Sequence, residues 1–283
     1  MFPALSWEKL SRFKKWGNFG SGLAMLRRQI SVQLMGLAMI VGFVVLRSTT
    51  AMGQGGQSEI ETYGSMHETI GQQQHQGRVK LADLTRKPHF YAVGALERLT
   101  GEISMIDGKP IVTSVGADGK LKSLGDTAGS LQATLLVGGS VPEWNEVRLS
   151  DEVEADDFDK LVGEQAEKLG VDTSRPFLFL IDGEFTDVRL HVINGACPLH
   201  SRLRNKPIAE NQKPFEMELN RVSGKLVGVF ARDAAGKLTH PATSVHAHLI
   251  FEDQDGRTFT GHLERVALGA GTTLRIPLAR KNQ

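Results

Sequence analysis

The stretch SVHAHLIFEDQDGRTFTGH, Ser244 to His262, decides how this chain is read. It gathers three of the nine histidines around one turn signal, Asp255-Gly256. Alternate residues of a strand share a face, so His246 and His248 project together. Whether His262 joins them depends on the length of the turn. A two-residue turn on Asp255-Gly256 sets Leu249 opposite His262 and sends that histidine to the other face. A three-residue loop, Gln254-Asp255-Gly256 with Gly256 left-handed, closes 253 on 257 and sets His248 opposite His262. Directly opposed β-carbons lie about 5 Å apart, close enough for imidazoles to share an ion. Three imidazoles with an open fourth position form a catalytic zinc arrangement. The same register carries Glu264 to the position facing His246, as a fourth ligand or as an acceptor supporting one. The competing reading is polar alternation on a half-buried strand, with no ion at all. A cupin motif is the nearest rival, since Glu252 follows His248 at a tolerable spacing, but its glycines and second histidine motif are missing.

Outward from this hairpin the chain reads as strand after strand. HFYAVGALERLTGEISMIDGKPIVTSV, residues 89–115, carries an Asp107-Gly108 hairpin signal between two apolar runs. LQATLLVGG and EVRLS are further strands, and PFLFLIDGEFTDVRLHVI is expected to form two strands around Asp182-Gly183. ADDFDKLVGEQAEKLG is the one clear helix, with Asp156 or Asp157 near its start and Gly170 at its stop. The segment through Pro198, Pro207 and Pro214 reads as a loop. Beyond it come GKLVGVFA, the histidine hairpin and TTLRIPL. The pattern predicts an α+β fold of mostly antiparallel and mixed sheets with one or two helices. Within it, residues 81–170 are an N-terminal α+β part and 171–283 a C-terminal β-rich, metal-binding part.

The charge is unevenly placed. Of the chain's 33 Lys and Arg, seven fall in residues 1–53 beside one of its 32 acids, which leaves the body with 26 bases and 31 acids. A mildly acidic body lacks the electrostatic footprint of nucleic-acid binding. The N-terminal excess precedes a short apolar run, Leu34 to Leu46, then small residues at Ala51 and Gly53. This is the pattern of a signal peptide, with an uncleaved membrane anchor as the alternative. Met25 is an alternative start. Residues 54–80, rich in Gln and Gly, read as an exported linker. The only cysteine, Cys197, excludes an internal disulfide and reads as a small buried hydrophobe in a turn, not at an activating helix N-terminus.

Four segments in consistent order resemble the α-acetolactate decarboxylases, metal-dependent lyases that release carbon dioxide from 2-acetolactate to give acetoin. They are ALERLTGEISMIDGK, FLFLIDGEFTDVRLHVI, GKLVGVFA, and the His246-Ala247-His248 strand with RTFTGH (Arg257 to His262). The resemblance spans roughly residues 75–278. It implies a divalent metal, zinc by expectation, on His246, His248 and His262, and a proton-transfer carboxyl at Glu102. Aligned on the family, His191 stands where a catalytic arginine belongs, with Arg189 two residues back on the same face. The family's late glutamate has no counterpart, Thr273 occupying the most natural alignment. The implied substrate is a small 2-hydroxy-3-oxo acid; a membrane partner enters only through an uncleaved N-terminal segment, and a homodimer is left open. Without the resemblance Glu102 reads as a solvated strand residue, His191 as a packed strand histidine, and His89, His200 and His240 as loop or surface residues. The alternative function is an exported protein that binds a metal or small ligand without catalysis. If the leader is cleaved, N-terminal sequencing of exported protein begins close to Gln54; an intact N-terminus in the membrane fraction would show an anchor instead.

Overall fold

The computed structural model describes residues 59–241 and 243–279. The expected leader and its expected cleavage site therefore lie outside the described residues. Among the described residues, no helix is long and apolar enough to cross a membrane. The first sheet is built from β1 (Glu61–Tyr63), β2 (Val79–Lys80), β3 (Phe90–Leu96), β4 (Gly101–Ile106), β5 (Lys109–Val115), β6 (Leu121–Ser123) and β7 (Gln132–Ser140), in the order β1-β7-β3-β4-β5-β6 with β2 also on β7. A short helix, α1 (Leu81–Leu84), follows β2. Asp107 and Gly108, both at positive φ, turn β4 into β5. The stretch expected to be a linker thus supplies, from Glu59 on, two strands paired to β7, and Met66 is buried within it.

The second sheet holds β8 (Trp144–Arg148), β9 (Phe177–Val192), β10 (Phe215–Phe230), β11 (Val245–Glu252), β12 (Thr258–Leu268) and β13 (Thr273–Pro277). Its pairings run β10-β11-β12-β9, and β10 also pairs with β9, so these four strands close into a ring. Between β8 and β9 lies α2 (Phe158–Lys168), which begins just after Asp157 and ends before Gly170 at φ +79°. All pairings between named strands are antiparallel. The architecture is the expected α+β class.

Alternation along β9 shows why it sits at the centre. Phe177, Phe179 and Ile181 enter one core with α2's Phe158 and Val162, while Leu178 and Leu180 enter another with Val93, Val137, Val227 and Val229 of the first sheet and β10. A strand covered on both faces reads as an unbroken apolar run, as FLFLI does. The far face of the first sheet packs Ile103 and Met105 against Leu81 and Leu84 of α1.

Two expectations are corrected here. Asp182-Gly183 is no turn: β9 runs straight through it for 16 residues because β10 pairs along its whole length, Gly183 facing Gly224. Gly183 serves packing instead, since a Cβ there would lie 2.6 Å from Thr272 Oγ1. The proline-bearing loop contains a helix, α3 (Pro198–Arg204), opened by Pro198 at its first turn and preceded by Cys197 in extended conformation. Cys197 therefore does sit at a helix start, but burial pushes its thiol up to about 11, so it is not an activated nucleophile. Gly183→Ala should cost on the order of 1–3 kcal/mol through overpacking against Thr272, read as a lowered thermal midpoint; an unchanged midpoint would show that Thr272 moves aside freely.

Candidate metal centre

The 244–262 hairpin has the three-residue register. His248 pairs with His262 and Glu252 with Thr258, Asp253 N–H donates to Arg257 O at 3.0 Å, and Gly256 has φ +74°. A second ladder acts on the same residue. His262 pairs with His191 of β9 on its other side, so three histidines form one row across β11, β12 and β9. His246, two residues before His248, completes a cluster with His248 and His262 whose ligand nitrogens all lie within 4.8 Å of one another, each residue buried. Bonds near 2.1 Å hold tetrahedral nitrogens about 3.4 Å apart, so small ring rotations close the cluster on an ion.

The donors fit a cation. Burial holds the proton affinities of all three rings down, His246 to about 3 and His248 and His262 well below their ordinary value, so they are neutral ligands at neutral pH. His246 Nδ1 lies 3.2 Å from the Leu238 carbonyl and can only donate to it, which leaves Nε2 with a free lone pair. Both ring nitrogens of His248 are buried and neither makes a well-formed hydrogen bond, the Ile103 backbone standing near enough to act on the ring. A buried imidazole without partners costs stability unless something else takes its lone pair.

Glu102 comes to this cluster from the first sheet. Ser104 Oγ and Thr260 Oγ1 are 2.6 Å apart, and Thr260 N–H donates to Thr113 Oγ1 at 2.8 Å. These bonds pin β4 and β5 against β12, and a step of two residues from Ser104 and from Thr260 reaches Glu102 and His262. Glu102 is buried, with oxygens 3.6 Å from His248 Nε2 and 4.0 Å from His191 Nε2, and it accepts the Ile193 N–H at 3.2 Å. The reading of Glu102 as a solvated strand residue is thus overturned. Burial in this apolar setting raises its carboxyl to about 8.

A family model for alpha-acetolactate decarboxylase matches residues 63–281. The chain belongs to that family. Its fold matches alpha-acetolactate decarboxylase from Bacillus subtilis strain 168 with TM-score 0.56 and 16% identity, covering 77% of this chain and 85% of that one. The acetolactate decarboxylase of Bacillus subtilis subspecies spizizenii gives 0.56 and 18% over the same shares. A Staphylococcus aureus protein described as similar to alpha-acetolactate decarboxylase gives 0.53 and 15%, over 77% and 84%. No curated protein matches the sequence.

Three departures from expectation concern the groups around the family's centre. Arg189 shares a strand with His191 but is exposed, its guanidinium 2.7 Å from Glu218, the residue paired with it on β10. An opposite charge directly across the ladder holds it away from the cluster. Glu264 does not face His246: the β11–β12 ladder runs only from His248–His262 to the hairpin tip, and β12 shifts register between Leu263 and Arg265 as it runs along β9. Its carboxylate instead lies 2.7 Å from His191 Nδ1 and also accepts from Arg202 of α3, and these partners hold it down at about 2. His240 is no plain loop residue, for its ring centroid is 4.9 Å from that of His262 and it lines the cavity of Glu102, His191, His246 and His262. Sequence reading missed Arg202 and His240; Pro198 at a helix start was a signal for α3, whereas nothing in the spacing marks His240.

Acid stability follows from the buried rings. Folded His240 and His246 accept protons only near 4 and 3, whereas the unfolded chain accepts them near the ordinary 6.5. Their contribution is therefore whole above about pH 6.5 and lost as pH falls toward 4. Glu102 acts oppositely, losing stability as pH rises from 4.5 to about 8, but it is one group against several. Chelator-treated protein should lose thermal midpoint steadily from pH 7 to 5, and His246→Gln should flatten that slope; an equal slope in both proteins would show that the ring is not held neutral.

Proposed function

We propose that the chain is a metal-dependent carboxy-lyase that converts 2-acetolactate, a small 2-hydroxy-3-oxo acid, to acetoin and carbon dioxide. The observation that supports this most is the buried carboxyl of Glu102, carried on one sheet and set against three neutral histidines carried on the other. His246, His248 and His262 would hold the ion, with zinc favoured by an all-nitrogen set. When bound, the ion supplies a Lewis acid for the ketone oxygen that receives the electrons left by carbon dioxide.

The chain's own residues do the rest. Glu102, whose carboxyl burial pushes up to about 8, holds a proton at the cluster and delivers it to the carbon that has lost its carboxylate. His191 is oriented through Nδ1 by Glu264, itself anchored by Arg202, and presents Nε2 toward Glu102. This supports His191, rather than Arg189, as the residue that meets the substrate's carboxylate. The walls of the cavity include Met66, Ile70, Ala95, Leu99 and Leu135, which keep water from the proton in transit. The basic and then apolar N-terminal pattern supports work outside the cytoplasm.

A second reading, metal binding without catalysis, is favoured by Arg189 standing outside the cluster. The two are separated by metal content and an acetoin assay. Purified protein should carry about one divalent ion per chain, and His248→Ala should lose it. Glu102→Gln should keep the ion while turnover of 2-acetolactate falls by on the order of 10²-fold or more. Bound metal with no acetoin from the unaltered protein would favour the second reading, and metal retained in His248→Ala would reject the site itself.

A further inference from the structure

Two larger cavities adjoin the one that holds Glu102, and they differ in charge. One shares His240 and His262 with it and is walled by Asp159, Glu264 and Arg265, the arginine being matched by Asp156 and Asp187. The other shares Ile70, Leu99 and Cys197 with it, and its titratable side chains, apart from the shared Cys197, are His75, His200 and Lys206. Among the described residues lining this second cavity there is no carboxylate. Glu210, the nearest acid in sequence to Lys206, is paired with Lys213 at 2.6 Å. Arg204 and Lys206 both press positive charge on His200. The segment that forms the far wall, around Ile70, is tied down by Met66 and His67 N–H bonds to the carbonyls of Lys237 and Gly236, at 3.0 and 2.9 Å.

We propose that the cavity walled by His75, His200 and Lys206 is the entry and holding site for a small carboxylate, which passes between Ile70, Leu99 and Cys197 to reach Glu102. This rests on the decarboxylase reading and assigns the side from which its anionic substrate arrives. An anion approaching that way meets the carboxylate of Asp159, Glu264 being matched by Arg202, whereas the basic cavity concentrates it. The same asymmetry takes over part of the work for which Arg189 is no longer placed: a carboxylate is drawn in by charge before it reaches His191. Arg202 does not serve, because Glu216 and Glu264 occupy it.

Negative charge added on each route tests this in the metal-loaded full chain. Lys206→Glu should lower kcat/KM for 2-acetolactate about tenfold at low ionic strength, leave kcat within about twofold, and converge on the unaltered protein at high salt. Ala155→Glu, which places a new carboxylate on the other cavity, should change neither. A loss on Ala155→Glu with none on Lys206→Glu would overturn the assignment. If the unaltered protein makes no acetoin, the decarboxylase reading has failed on its own, and the cavity is read by binding. Calorimetric titration with 2-hydroxy-2-methylbutanoate, which has the carboxylate and hydroxyl but no ketone to accept electrons, should then show about tenfold weaker binding to Lys206→Glu. Equal binding to both proteins, or none to either, would overturn the proposal.

Discussion

Everything at the centre depends on His262 being held by two backbone ladders at once. Its strand pairs with β11 on one side and β9 on the other, so the residue opposite it is His248 in one direction and His191 in the other. A side-chain position in a sheet is fixed in steps of one residue, and a slip of one would turn the histidine to the opposite face. Gly256, left-handed at the hairpin tip, sets the first register, and the ring closure through β10 sets the second. With both fixed, the rings need no helix or loop to bring them together.

The other half of the centre is imported. Glu102 sits on the first sheet, and what aligns it is a pair of buried hydroxyl contacts, Ser104 with Thr260 and Thr113 with the Thr260 amide. Polar bonds inside an apolar interface are directional where packing alone is not, so they fix how one sheet slides on the other. Val93 and Val137 against Val227 and Val229 supply the attraction, and the hydroxyls supply the register. Loss of either would leave two sound sheets with their functional groups misaligned.

This division explains what is legible in the sequence. The hairpin is legible because strand period and loop length are local, and whether Leu249 or His248 stands opposite His262 comes down to one residue of loop. The α+β class and α2 are legible from period and stop signals. Asp182-Gly183 misleads because a turn signal is outweighed by continuous pairing with β10, a contact that for Gly183 falls on Gly224. Glu102 looks solvated because its burial is made by a different sheet, and His240 looks peripheral because the loop that carries it is held by Met66 and His67. Arg189 lies on the expected face, but its cross-strand neighbour, Glu218, cannot be read from β9 alone. In each case the missing term is a long-range partner.

The electrostatics of the cluster have a single source. Burial strips protons from the histidines and leaves them as neutral ligands, and the same burial keeps Glu102 protonated up to about 8. Nearby positive charge is scarce: Arg202 is matched by Glu216 and Glu264, and Arg189 by Glu218. Glu102 therefore sits higher than a proton-transfer group working near neutrality should, if only the protein's own charges act on it. Opposite charge lowers a carboxyl's proton affinity, so a cation held by these rings would pull Glu102 back toward the neutral range. The cluster and the carboxyl thus read as one unit: a cation there would take up a lone pair of the buried His248 ring, and the same cation would bring Glu102 nearer to the balance between giving a proton and taking one.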